Sequence, residues 1–305
     1  MLRTSAIATR SMLSRSLCVD GITYQTTQDD EFSQDASLKY TSGLPPSVEP
    51  AGQMLWSTQY SWHSRFNNDG SDDAFYTDPS QGFGGYMPSA ISGGALNITA
   101  KPVPSAYSAP SDGVRRHWLS GVLVGAPLTY GYVEVSAKVP QLQGFWPDPL
   151  WLLSSTGGAG KTPNLTELDA NEVFGDVYPP GTINQTIHYG SYTSSLAAQT
   201  VVTPQPDAAY HTYGILWTSA GAQFFIDRLA KSPIYPAKTS SAMYPYINLQ
   251  VFAGGTWAAP PATHTPQTMS LQYYRWYQKT GADCSPSVLG TGSAATLTST
   301  AYHHH

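Results

Sequence analysis

Apolar and polar residues alternate along this chain in short runs, separated by clusters of Gly, Pro, Ser and Thr. In "YGYVEVSAKVP", Val133, Val135, Ala137 and Val139 fall on one side and Tyr132, Glu134, Ser136 and Lys138 on the other. That period of two belongs to a strand, not a helix. "HTYGILW" and "AQFFID" flank the turn "TSAGA" and predict a hairpin. "GALNITAKP", "TINQTIHYG", "YPYINLQVFAGG" and "MSLQYYRWYQK" are further predicted strands. No segment carries a convincing helical period, and no repeat or linker divides the chain. The Pro- and Gly-rich stretch 102–113 reads as a loop. Many short strands at near-regular spacing predict an all-β antiparallel sandwich or barrel. A single domain is expected over 21–284, with tails at 1–20 and 285–305.

One run departs from simple alternation. "NLTELDANEVFGD" packs Glu167, Asp169 and Glu172 into six positions. Read as a plain strand, Glu172 shares a face with Leu168 and Ala170, where an unpaired carboxylate is very costly. A bulge at Ala170-Asn171 inserts one residue and reverses the phase. The three acids then line one face, with Leu168 and Val173 on the other. Like charges in a row on one sheet face destabilise it, so the arrangement points to use. The alternative is a solvated acidic strand.

Composition narrows the partner. Charged residues are only 11% of the 305 positions, while aromatics reach 12%, with 8 Trp and 20 Tyr. A disordered chain would be poor in aromatics, and no apolar run approaches the roughly 20 residues of a membrane helix. A net charge of −5 argues against nucleic acid. Aromatic, hydroxyl and amide groups suit a neutral polyhydroxylated ligand better.

Cys18 and Cys284 flank the body of the chain. One reading is a disulfide tying the terminal strands of a secreted protein; the other is two unrelated thiols. The first eighteen residues are rich in Ser and Arg, lack acids, and lack the apolar core of a signal peptide. They faintly resemble an organelle transit sequence, and the expectation is that they stand in place of an export signal. His303-His304-His305 resembles a purification-tag remnant and is set aside as a metal site. Asn97-Ile-Thr99, Asn164-Leu-Thr166 and Asn184-Gln-Thr186 fit the glycosylation sequon, a pattern chance produces easily.

Glu167-Leu168-Asp169-Ala170-Asn171-Glu172 resembles the bulged signature of glycoside hydrolase family 16, Glu-x-Asp-x-x-Glu. The neighbouring stretches resemble that family in order and spacing. "YGYVEVSAKVPQLQGFWPDPLWLL" is similar to the strand pair before the catalytic strand, and "TINQTIHYG" to the strand after it. "HTYGILWTSAGAQFFIDR" is similar to the following hairpin, and "INLQVFAGGTW" and "MSLQYYRWYQ" to the last strands. The resemblance covers Tyr24 to Gln278. "FNNDGSDDAFYTDP" and "HWLSGVLVG" are most similar to the laminarinase-like and bacterial exopolysaccharide-depolymerase branches. The resemblance implies a β-jelly roll sandwich of two curved antiparallel sheets with a concave substrate cleft.

It also implies roles for the residues. Glu167 would be the nucleophile and Glu172 the acid/base of a retaining glycosidase, their carboxyls about 5–5.5 Å apart. Asp169 would hydrogen-bond the nucleophile and help set which acid carries the proton. Trp146 and Trp151 would offer flat faces to sugar rings, though a core Trp is the commoner use of an indole. The family pattern Trp-Pro-Ala-Phe-Trp becomes Trp146-Pro147-Asp148-Pro149-Leu150-Trp151 here, which places Trp151 in doubt. His188 would face the leaving-group side, with Trp257 and Asn68 as further sugar contacts. Spacing leaves Trp62 and Trp118 undecided. Many relatives carry calcium on the convex face, but the matching position is Gln272, so no metal and no cofactor are expected.

The expected activity is endo-hydrolysis of a β-linked polysaccharide, β-1,3-glucan or a bacterial exopolysaccharide, by a secreted monomer. A transglycosylase or a non-enzymatic glucan-recognition module are the alternatives. The bulge opposes the first, because the plant transglycosylases are typified by the unbulged form. Retention of all three acids opposes the second.

Overall fold

Alternation of the kind seen in 130–140 commits the chain to strands, and the computed structural model forms 19 of them among its described residues. Those residues are 15–19, 21–33, 38–39, 55–62, 64–66, 71–81, 83–104, 113–154, 166–174, 181–189, 195–202, 205–236, 239–255, 258–261, 263 and 265–284. Among them the only helical element is a 3-10 turn at Pro79–Gln81, and no helix is long and apolar enough to cross a membrane.

The strands fall into two sheets. The first, of 11 strands, holds β1 (Ser16–Val19), β2 (Ile22–Asp30), β5 (Ala74–Tyr76), β6 (Ser89–Ser92), β7 (Ala95–Pro102) and β8 (Trp118–Ser120). It continues with β10 (Gly131–Lys138), β15 (His211–Thr218), β16 (Gly221–Ile226), β17 (Leu229–Ala230) and β19 (Gln267–Asp283). The second holds β3 (Leu38–Lys39), β4 (Trp56–Ser57), β9 (Val122–Val124) and β11 (Phe145–Ser154). Its other members are β12 (Thr166–Glu172), β13 (Thr182–Tyr189), β14 (Ser195–Val202) and β18 (Met243–Val251). Across this sheet the order is β14-β13-β12-β11-β18-β9-β4-β3. Pairing is antiparallel except for β3 with β4 and β5 with β8. This is the expected β-jelly roll sandwich. The predicted hairpin is β15-β16, closed by a turn between Thr218 and Gly221.

The core lies between the sheets. Val133, Val135, Ala137 and Val139 are buried there, as their alternation requires, against Leu168, Ala170, Ile187, Ile247 and Leu249 of the second sheet. Leu168 and Ala170 of β12 are thereby spent on the core, and Glu167 and Asp169 are turned to the other face.

The other face of β10 is covered as well. Tyr132 packs with Leu17, Val19, Tyr24, Leu216, Phe225 and Tyr277 in a small second cluster. Glu134 is fully buried and accepts two hydrogen bonds from Arg228, at 3.0 and 2.7 Å. Arg275 pairs in turn with Glu31, which also meets Arg15.

The N-terminal boundary needs correction. Ser16–Val19 is a strand paired with β2, and Cys18 is joined to Cys284 by a disulfide. These residues belong to the domain and not to a tail, because Leu17 and Val19 are needed to cover the outer face of the first sheet. Residues 1–14 and 285–305 lie outside the described residues.

Candidate active site

The site grows out of the register of β12. Glu167 stands opposite His188 of β13, Asp169 opposite Thr186, and Glu172 opposite Asn184. Between the last two pairs the register slips, so that Ala170 and Asn171 together oppose Gln185. The Gln185 amide donates to the Ala170 carbonyl at 3.1 Å and closes the bulge. Leu168, Ala170 and Val173 are buried in the core, while the three acids share the outward face. The bulge read from the sequence is present where it was expected.

That face is nonetheless sheltered: Glu167 is 9% exposed, Asp169 2% and Glu172 5%. Burial lifts the Glu172 carboxyl to about 7, against a smaller opposing effect of the Thr186 hydroxyl that bonds it. Asp169 is pushed well above the usual carboxylate range, first by burial and then by the charges of Glu167, Glu172 and Asp148. The expected hydrogen bond from Asp169 to Glu167 is not formed. Both Asp169 oxygens lack a hydrogen-bond partner, and His188 Nε2 lies 3.4 Å from Oδ2. His188 therefore stands beside Glu167 and Asp169 rather than beside Glu172.

A second bulge, on β11, decides where the tryptophans go. Asp148 pairs with Asn248 and Trp151 with Tyr246, so three steps on β11 answer two on β18. The extra residue is absorbed there: Leu150 is fully buried in the core, and Trp151, 7% exposed and packed on that core, stands opposite Asp169. Trp151 stacks on Tyr246 at 4.2 Å between ring centroids, and its indole N–H donates to Asn248 Oδ1 at 2.6 Å. Trp146, opposite Gln250, packs against Phe174 and Phe252 at 4.9 and 5.2 Å. Two aromatic groups thus flank the acids. Trp62 stacks on Tyr60 at the Tyr246 end, whereas Trp118 is a core residue packed on Phe145. Asn68 and Trp257 lie outside the described residues.

The sequence profile described as "Glycosyl hydrolases family 16" matches residues 120–275, which span β8 to β19 and hold all three acids. The chain belongs to glycosyl hydrolase family 16. It is 31% identical over 257 residues to the endo-1,3-1,4-beta-glycanase EglC of Rhizobium meliloti, covering 81% of this chain and 50% of that protein. It is 28% identical over 252 residues to ExsH, an endo-1,3-1,4-beta-glycanase of the same organism, covering 80% and 49%. The chain thus spans about half the length of these curated relatives. Its fold is similar to that of an endo-beta-1,3-glucanase from Pyrococcus furiosus, with a TM-score of 0.64 at 20% identity over 88% of this chain and 99% of that one.

Within this family-16 domain two places could be asked to hold a metal. Glu167, Asp169 and His188 each offer an atom within 4.8 Å of the others; they are the acids and imidazole just described. On the first sheet, Gln272 presents a neutral amide whose oxygen already accepts from Ser136 at 2.9 Å. A neutral amide oxygen binds a hard cation more weakly than a carboxylate in the same place would.

Sequence reasoning missed Thr186, Tyr246, Asn248, Phe174 and Phe252 as parts of the site, since their place follows only from cross-strand register. It also missed Asp148. The signal there is the departure from the family's Trp-Pro-Ala-Phe-Trp pattern, which sets Asp148 where that pattern has Ala.

Proposed function

We propose that the chain is a retaining endo-β-glycosidase that hydrolyses a β-linked polysaccharide by double displacement. The single observation that carries this reading is the bulged β12. It sets Glu167 and Glu172 on one face with the Glu172 carboxyl raised to about 7. Glu167 attacks the anomeric carbon while Glu172 protonates the departing oxygen. Glu172, now a carboxylate, then takes a proton from the water that releases the sugar. Asp169, held neutral between them, keeps the cleft from carrying three like charges. Trp146 and Trp151 present ring faces on either side of the acids, and His188 orients the Glu167 end.

Relatives named as 1,3-1,4-β-glycanases and 1,3-β-glucanases favour a β-1,3-linked or mixed-linkage glucan among the possible polymers. A disulfide and a site built for a polymer support secretion, and the domain works as a monomer. The test is a reducing-end assay on laminarin, lichenan, agar, carrageenan and bacterial exopolysaccharides, with product sizing in the presence of acceptor sugars. At least one β-glucan should yield new reducing ends. Glu167→Ala, folded by its melting curve, should lose roughly four orders of magnitude in kcat or more, as enzymes do on losing a nucleophile. Turnover by that variant at the parent rate would overturn the assignment.

A further inference from the structure

The acid face holds one carboxyl more than the reaction above uses. Asp148 lies on β11 between Trp146 and Trp151 and is 7% exposed. Its chain neighbours are Pro147 and Pro149, which have no N–H to donate. One backbone hydrogen bond reaches it, from Leu150, and its Oδ1 has no partner. It stands opposite Asn248 of β18, on the face where Tyr246 is opposite Trp151 and Trp151 opposite Asp169; the charges of Glu172 and Glu167 act on it and its own acts on Asp169, with His188 of β13 opposite Glu167. The Oδ1 of Asn248 is already taken by the Trp151 indole.

A buried carboxylate in this setting is short of donors and faces like charges. Burial acts most strongly on it, then the charges of Glu172 and Glu167, and all three drive its affinity for a proton well above the usual carboxylate range. Carboxyls so placed titrate together, and the one that holds the higher proton keeps it while its partner reacts.

We propose that Asp148 is a positioning residue that stays protonated through the catalytic cycle and shares its proton with Glu172 once Glu172 has given up its own. The inference rests on the acid/base role of Glu172 proposed above. The proton count closes. Glu172 gives its proton to the leaving oxygen as the glycosidic bond breaks, and Asp148 then donates a hydrogen bond to the new Glu172 carboxylate without losing its proton. Water attacks the glycosyl ester, its proton returns to Glu172, and Asp148 is unchanged. An alanine at this position, as in the family pattern, could not do this.

Infrared difference spectra between the parent and Asp148→Asn test the protonation directly. At alkaline pH, above the basic limb of activity, the parent should keep a carboxylic-acid carbonyl band that the variant lacks; a parent without that band overturns the proposal. Kinetics test the partnership. Asp148→Leu, close in shape and without a donor, should move the basic limb of kcat/KM upward by about one pH unit, because the Glu172 carboxylate loses a hydrogen bond. Asp148→Asn, whose amide can donate, should restore it. A downward shift in both variants would mean that Asp148 is ionised, and no shift in either that it does not act on Glu172; each result overturns the proposal. An active Glu167→Ala would instead sink the underlying mechanism, so the two failures are told apart.

Discussion

At the scale of single residues, the chemistry turns on how protons are divided within a buried row of acids. Glu172 has to be protonated to serve as the donor, and its carboxyl is raised to about 7 chiefly by burial. Activity should therefore follow a bell whose basic limb lies near neutral pH, and a limb in the ordinary carboxylate range would contradict this. The same shift carries a stability cost with a definite sign. A carboxyl raised in the folded state binds its proton more tightly than in the unfolded chain, so stability falls as pH climbs from the unfolded value through about 7. Glu172→Gln should then melt higher than the parent at pH 8, with the gain gone at pH 4, as calorimetry at the two pH values would show. Glu172→Ala should slow substrates with poor leaving groups by roughly 10²–10⁴-fold while sparing activated aryl glycosides. Azide should rescue it as a β-configured glycosyl azide; an α-configured product would end the retaining mechanism. The three acids were legible in the sequence because their spacing is a motif. Asp148 was not, because it belongs to no motif and only the register of β11 places it on the acid face.

At the scale of elements, two bulges do the aiming. The one on β12 was legible, since without it Glu172 would be forced among Leu168 and Ala170 in the core. The one on β11 was not. Its sequence shows an extra residue and a second proline, but only the pairing with β18 tells that Leu150 turns inward and Trp151 stays on the acid face. Deletion of Asn171 tests the first bulge. It removes the extra residue between Asp169 and Glu172 and turns Glu172 toward the core, where an unpaired carboxylate is costly. The deletion variant should melt well below the parent and should not hydrolyse any glucan, activated aryl glycosides included. Full activity with the residue missing would mean that the phase reversal does not place the acids.

At the scale of the whole molecule, an antiparallel sandwich or barrel was legible from alternation and the family resemblance singled out the sandwich, but its closure was not legible. Residues 16–19 form too short a run to stand out as a strand. They belong to the fold because β1 pairs with β2, and β2 with β19, on the sheet away from the acids. There Leu17 and Val19 cover Tyr132 and Tyr277, and Cys18 is tied to Cys284 across a separation of 266 residues. Two cysteines left paired and free thiols equally open; strand adjacency decides between them. Cross-linking so long a loop restricts the unfolded chain strongly, and removing such a bond costs a domain roughly 2–5 kcal/mol. The double variant Cys18→Ser/Cys284→Ser should therefore melt several degrees lower than the parent. Its kcat and KM at low temperature should match those of the parent, because the bond ties β1 to the residue after β19 in the first sheet, whereas the acids stand on β12 of the second. Differential scanning calorimetry and steady-state kinetics check the two halves separately. A variant that melts with the parent would mean that β1 is held by packing alone. One that is inactive while folded would mean that the two sheets are coupled more tightly than a shared core requires.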